Sequence, residues 1–234
     1  MEWIFDQAHL GVPDPVGAAA WYRQHLGATA GDHNDRVMFG DTRVIFLKND
    51  APAPSHGSAI DHIALSFADV TARMKTLEGS GARVVAPVSE AAGLYTSAFI
   101  EDPWGARIEV VEDPGTIGFH HVHLQVPDLD RSRDWYIQKF GAAPGKFKGQ
   151  LEGFTCGGMW VLMDEGAAAP SRGHTIDHVG WRMADLRATA ADLKTRGVTF
   201  TTEPQAGPAG PHAPVLLSFT EDPWGVKIEL LQRP

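Results

Sequence analysis

Apolar and polar residues alternate with a period of two over residues 4–12, near 37–39 and 43–48, over 59–67, and near 84–86, 96–100 and 107–111. That period predicts half-buried strands. After the first strand the spacing becomes helical. Asp14 caps the helix, Pro15 takes its first position, Ala18, Trp21, Tyr22 and Leu26 share one side, and Gly27 ends it. A second helix is capped by Asp69, carries Val70, Met74 and Leu77, and ends in the Gly79–Gly81 region. The predicted order is strand, helix and three strands, twice over.

The second half of the chain repeats the first. Phe119-His120-His121-Val122-His123-Leu124-Gln125-Val126-Pro127-Asp128 matches Phe5 through Asp14, Trp135-Tyr136 matches Trp21-Tyr22, and Gly141 matches Gly27. Ile176-Asp177-His178-Val179 matches Ile60-Asp61-His62-Ile63. Glu101-Asp102-Pro103-Trp104-Gly105 followed by Arg107-Ile108-Glu109 returns as Glu221-Asp222-Pro223-Trp224-Gly225 followed by Lys227-Ile228-Glu229. Each of these stretches reads as a strand, a tight turn closed by Pro and Gly, and a second strand. Glu112-Asp113-Pro114-Gly115 is the linker, which divides the chain into domains at residues 1–113 and 117–234. The expected fold is α+β, four βαβββ modules paired face to face into two open barrels, one per domain. A loop at 203–214, rich in Pro, Gly and Ala, carries His212 and is longer than its first-half counterpart.

Composition narrows the chemistry. The 234 residues carry a formal net charge of −9, which argues against nucleic acid or an anionic membrane as partner. No apolar run is long enough to span a bilayer, and the first residues lack the pattern of a secretory signal. Cys156 is the only cysteine, so the expected home is a reducing cytoplasm. With 11 histidines, any metal site would be built from His and carboxylate. Glu109 and Glu229 sit within apolar strands. Each reads either as a carboxylate on a half-solvated sheet or as an inward carboxylate awaiting a cation, and the duplication favours the inward reading.

The repeats, the pattern His-x-x-Leu-x-Val-x-Asp with its following Trp-Tyr and Gly, the Asp-His strands and the closing Pro-Trp-Gly-x-x-Ile-Glu together resemble the vicinal oxygen chelate superfamily. That superfamily includes glyoxalase I, methylmalonyl-CoA epimerase, fosfomycin-resistance and bleomycin-resistance proteins and extradiol dioxygenases. The resemblance places metal ligands on the first and last strands of modules. It implies His121, His178 and Glu229 as the metal site of the second domain, with Gln7, His62 and Glu109 as a weakened set in the first. The fourth carboxylate of the glyoxalase and epimerase branches falls near Phe46 and Val161, both apolar. That departure points to an Fe(II) dioxygenase of the extradiol kind, acting on a phenolic or vicinal-oxygen small molecule. Mn(II), Zn(II), Ni(II) or Co(II) are alternative metals. His123 and His212 are the candidate acid–base groups, although the extradiol acid–base His has no counterpart among residues 157–163 and the expected Tyr aligns with Phe219. His9 reads as a polar group in the barrel wall and His120 as structural. A lyase or isomerase using another divalent metal is the second reading, and a metal-free binding or resistance protein the third. Whether domains pair within one chain or between two chains of a homodimer is left open.

Overall fold

A computed structural model describes residues 3–91, 93–207 and 215–233. The first module comprises β1 (Ile4–Val12), α1 (Pro15–Leu26), β2 (Thr29–Ala30), β3 (Arg36–Phe39) and β4 (Thr42–Lys48). The second comprises β5 (Ile60–Ser66), α2 (Val70–Thr76), β6 (Arg83–Ala91), β7 (Tyr95–Glu101) and β8 (Arg107–Glu112). The third has β9 (Gly118–Val126), α3 (Leu129–Phe140), β10 (Ala143–Phe147), β11 (Leu151–Cys156) and β12 (Met159–Glu165). The fourth has β13 (Ile176–Arg182), α4 (Leu186–Thr195), β14 (Phe200–Ala206), β15 (Leu216–Glu221) and β16 (Lys227–Gln232).

The four helices among the described residues start by the same device. The carboxylates of Asp14, Asp69, Asp128 and Asp185 accept from the backbone N–H of Gly17, Ala72, Arg131 and Ala188, three residues on. α1 and α3 stop at Gly27 and Gly141, which take left-handed φ of 70° and 68°. β6 is longer than the predicted 84–86. It runs through Pro87, which it tolerates because β6 is an edge strand.

The modules form two open eight-stranded sheets, ordered β14-β15-β16-β13-β1-β4-β3-β2 and β10-β11-β12-β9-β5-β8-β7-β6. Module one therefore shares a sheet with module four, and module two with module three. At each junction two first strands pair antiparallel, β1 with β13 and β5 with β9. Here the structure departs from the expectation that residues 1–113 and 117–234 each enclose a cavity of their own. The reason is the free edge of each first strand. One edge of β5 is taken by its own β8, and the other is filled by β9, which follows β8 after a short linker.

The two halves of the sequence still pack as units, through their helices. In the first half Trp21 donates to the Ser80 carbonyl at 2.8 Å and Arg73 to the His25 carbonyl at 2.9 Å. In the second, Arg196 donates to the Lys139 carbonyl at 3.2 Å. Tyr22 and Tyr136 fasten the two repeated turns by donating to Asp102 at 2.7 Å and Asp222 at 2.8 Å. The core is one apolar cluster crossing all four modules. A smaller cluster of Ala64, Tyr95, Val111, Phe147 and Leu162 includes Ala64 and Val111, which share a sheet face with His62 and Glu109. Among the described residues no helix is long and apolar enough to cross a membrane.

Candidate metal centres

Strand register decides which donors meet. His62 stands opposite His123 across β5 and β9, while Ala64, one pleat further along, lies between His121 on one side and Glu109 on the other. In the other sheet His9 stands opposite His178, and Gly180 lies between Gln7 and Glu229. The two arrangements are pseudo-equivalent. Gln7 corresponds to His121, His9 to His123, His178 to His62, and Glu229 to Glu109.

In the sheet of modules two and three, Glu109 Oε2 lies 3.3 Å from His121 Nε2 and 3.8 Å from His62 Nε2. His123 stacks on His62 with ring centroids 4.5 Å apart, and its Nε2 is 3.1 Å from Asp164. It lies at a cleft of about 390 Å³ lined by His56, Asp61, Arg107 and Asp164. Phe147 packs against His120, His121, Tyr95 and Trp160, making an aromatic wall beside the donors. In the sheet of modules one and four, Glu229 Oε2 lies 3.4 Å from His178 Nε2 and 3.5 Å from His9 Nε2. Gln7 Nε2 donates to the same carboxylate oxygen at 2.5 Å.

The residue before each ligand position carries a second layer of the design. Asp61 meets His62 Nδ1 at 2.8 Å, and Asp177 meets His178 Nδ1 at 2.6 Å. Each acid is in turn held by a cation two residues before the glutamate, Arg107 at 2.9 Å and Lys227 at 2.6 Å. A carboxylate on Nδ1 fixes the tautomer and aims Nε2 inward. Asp6 occupies the same position before Gln7. With no imidazole to hold, it binds Arg43 at 3.1 Å and Arg233 at 2.9 Å. His120 replaces the acid before His121. Its Nδ1 meets His121 Nδ1 at 2.8 Å and its Nε2 reaches Asp113 at 3.3 Å, so this ring holds His121 in place.

The electrostatics suit a cation. Burial lowers His121 to about 3, and burial with the neighbouring His178 lowers His9 to about 3. Burial alone would raise Glu109 and Glu229, but the adjoining imidazoles bring each down to about 2. At neutral pH His121 and His9 are therefore free bases beside ionised carboxylates, the protonation states that metal binding needs. The Nε2 atoms of His62, His121 and His178 and both ring nitrogens of His9 are buried without a hydrogen-bond partner among the described residues. Unpaired buried nitrogens are costly, and a divalent ion accepting their lone pairs would remove that cost. The ligand atoms of His9, His178 and Glu229 all lie within 4.8 Å of one another, as do those of His62, His121 and His123. The donor sets fit a transition metal.

The residues expected as one site are thus distributed over two. The structure does not bring His121 together with His178 and Glu229. His121 joins His62 and Glu109, whereas His178 and Glu229 join Gln7 and His9. His123 does stand beside the ligands, and His9 enters a centre instead of serving as a wall residue. His212 lies outside the described residues. The position pseudo-equivalent to each glutamate on the remaining strand is Leu162, opposite His123, and Ile45, opposite His9. Both are apolar and buried, each one residue away from the expected Val161 and Phe46. Sequence reading missed the ordering acids, although Asp6, Asp61 and Asp177 recur at one module position. Cys156 is a buried thiol, pushed up by burial to about 12.

Paired βαβββ modules with His and Glu converging from their first and last strands define a class of chelating folds. The chain belongs to the Glyoxalase/Bleomycin resistance protein/Dioxygenase superfamily, whose model matches residues 4–110 and 118–230. Glyoxalase I from Zea mays is similar in structure, with a TM-score of 0.79 at 19% identity over 98% of this chain and 92% of that one. A protein from Bacillus subtilis provisionally named a dioxygenase is similar at a TM-score of 0.67 and 15% identity, over 99% of this chain and 85% of that one. No curated protein matches the chain significantly.

Proposed function

We propose that the chain is a divalent-metal enzyme acting on a small molecule with adjacent oxygen atoms, centred on His62, Glu109 and His121. One observation carries this reading. Two buried imidazoles and one buried carboxylate converge from β5, β8 and β9, while Leu162 stands where a fourth, acidic donor would be. A set of two His and one carboxylate leaves coordination positions for substrate and dioxygen, which favours Fe(II) and an extradiol-like dioxygenase. A metal held there would supply Lewis acidity toward the substrate oxygens.

The protein's own residues supply the rest. Asp61 and His120 hold the two imidazoles in orientation. His123, stacked on His62 and facing the polar cleft, is placed to move a proton to or from bound substrate. Tyr95, Phe147 and Trp160 offer flat apolar surfaces that suit a phenolic ring.

The test is oxygen consumption by iron-loaded protein over a panel of catechols and hydroquinones. The reading expects uptake that His62→Ala and Glu109→Ala abolish. Turnover of a substrate under anaerobic conditions with Mn(II), Ni(II), Co(II) or Zn(II) would replace it with a lyase or isomerase. Absence of stoichiometric metal in carefully purified protein would replace it with a binding protein.

A further inference from the structure

We infer that the sheet of modules one and four carries a second divalent-metal site whose ligands are His9, His178 and Glu229, with Gln7 acting as a donor to Glu229 instead of a ligand. The site stands apart from the centre at His62, Glu109 and His121, and its case rests on different atoms.

Gln7 occupies the ligand position of β1, but its amide is turned. Arg233 can only donate, and its Nη2 lies 2.9 Å from Gln7 Oε1, so that oxygen is engaged outside the donor cluster. The NH2 end must then face Glu229, as the 2.5 Å contact shows. Arg233 is itself anchored on Asp6 at 2.9 Å, and Asp6 is only 2% exposed and also bound to Arg43. Presenting the amide oxygen inward would break both of the amide's bonds at once.

His9 takes the vacated role. It lies two residues along β1 from Gln7, hence on the same face, and directly opposite His178. Their rings are 4.2 Å apart between centroids, and each Nε2 approaches the same oxygen of Glu229, at 3.5 Å and 3.4 Å. Two buried imidazoles and a buried carboxylate face one another with no hydrogen bond between ring and acid. Gly180 opposite keeps the space open, since a Cβ there would lie 3.1 Å from Gln7 Cγ and 3.4 Å from Glu229 Cβ. Asp177, held by Lys227, orients His178. Nitrogen-rich donors of this kind select Zn(II), Fe(II), Co(II) or Ni(II) over Mg(II) or Ca(II).

Metal-free full-length protein titrated with Co(II), followed by its visible absorption, and with Zn(II), followed by elemental analysis, tests the assignment. Wild type should take up two equivalents. His9→Gln should take up one, as should His178→Gln if His9→Gln fails to fold. Gln7→Leu should keep both, with the affinity of this site weakened by about 10–100-fold, as for loss of an outer hydrogen bond to a ligand. Glu109→Ala should keep the equivalent held here. The inference is overturned if His9→Gln binds as much metal as wild type, if Gln7→Leu loses the equivalent outright, or if Glu109→Ala binds none. The last outcome would leave the centre at Glu109 standing, whereas failure of that centre alone would show as one equivalent in wild type that His9→Gln removes.

Discussion

Glu109 Oε2 lies 3.3 Å from His121 Nε2, although Glu109 belongs to the last strand of the first half of the chain and His121 to the first strand of the second. The centre forms only because β9 pairs with β5 and β8 flanks β5 on its other edge. The other centre joins Gln7 and His9 to His178 and Glu229 in the same way, so among the described residues neither half holds a complete donor set alone.

Glu109→Ala is expected to remove one metal equivalent and reduce turnover to background, whereas Glu229→Ala should remove metal only from the other sheet and leave turnover in place. Elemental analysis beside a steady-state assay of the two variants checks this. Inactivation by Glu229→Ala alone would move the reactive centre to the first and fourth modules.

Asp61→Asn should weaken metal binding at the neighbouring centre by about 10–100-fold without dissolving the fold, because the carboxylate on Nδ1 of His62 orients the ring and raises its basicity. Competition with a chromogenic chelator measures the change. Asp177→Asn should act likewise on the other sheet.

Metal-free protein should lose stability on acidification because of His121. Its pKa is lowered by burial to about 3 in the folded chain, against 6.5 for the ordinary group. Between those values the unfolded chain binds the extra proton, so this residue's contribution is complete above 6.5 and falls by about 1.4 kcal/mol per pH unit down to about 3. Denaturant titrations of wild type and His121→Gln in the presence of chelator should therefore converge or cross as pH drops from 7 to 4. A pH-independent difference would show that His121 titrates alike in both states.

Tyr22→Phe and Tyr136→Phe should each destabilise the chain by about 1–3 kcal/mol, since each leaves a buried aspartate short of a donor. Asp102 and Asp222 are only 3% and 4% exposed, so solvent does not replace the lost donor. Urea midpoints measure the cost, and metal stoichiometry should not change.

Much of this architecture is local and so was legible in one dimension. The period-two runs became strands, Asp14 and Asp69 became caps, and Asp102 and Asp222 hold their turns by accepting from the backbone at Trp104 and Ala106, and at Trp224 and Val226. Inward orientation of Glu109 and Glu229 followed from strand alternation and from their duplication. These properties depend on residues within a few positions of one another, where side-chain direction and capping chemistry act.

The grouping of the donors was decided by tertiary structure. Backbone hydrogen bonds between strand edges carry no record of which partner supplies them, and the first strands of all four modules are alike. The two modules of one half could therefore have shared a sheet on equal grounds. In the folded chain the helices hold the two modules of each half together, through Trp21 with Ser80 and Arg196 with Lys139, and this leaves the first-strand edges to meet across the halves. His62 thereby gained His121, and His178 gained His9. The turn of the Gln7 amide was settled the same way, by Arg233 arriving from the far end of the chain to take its oxygen.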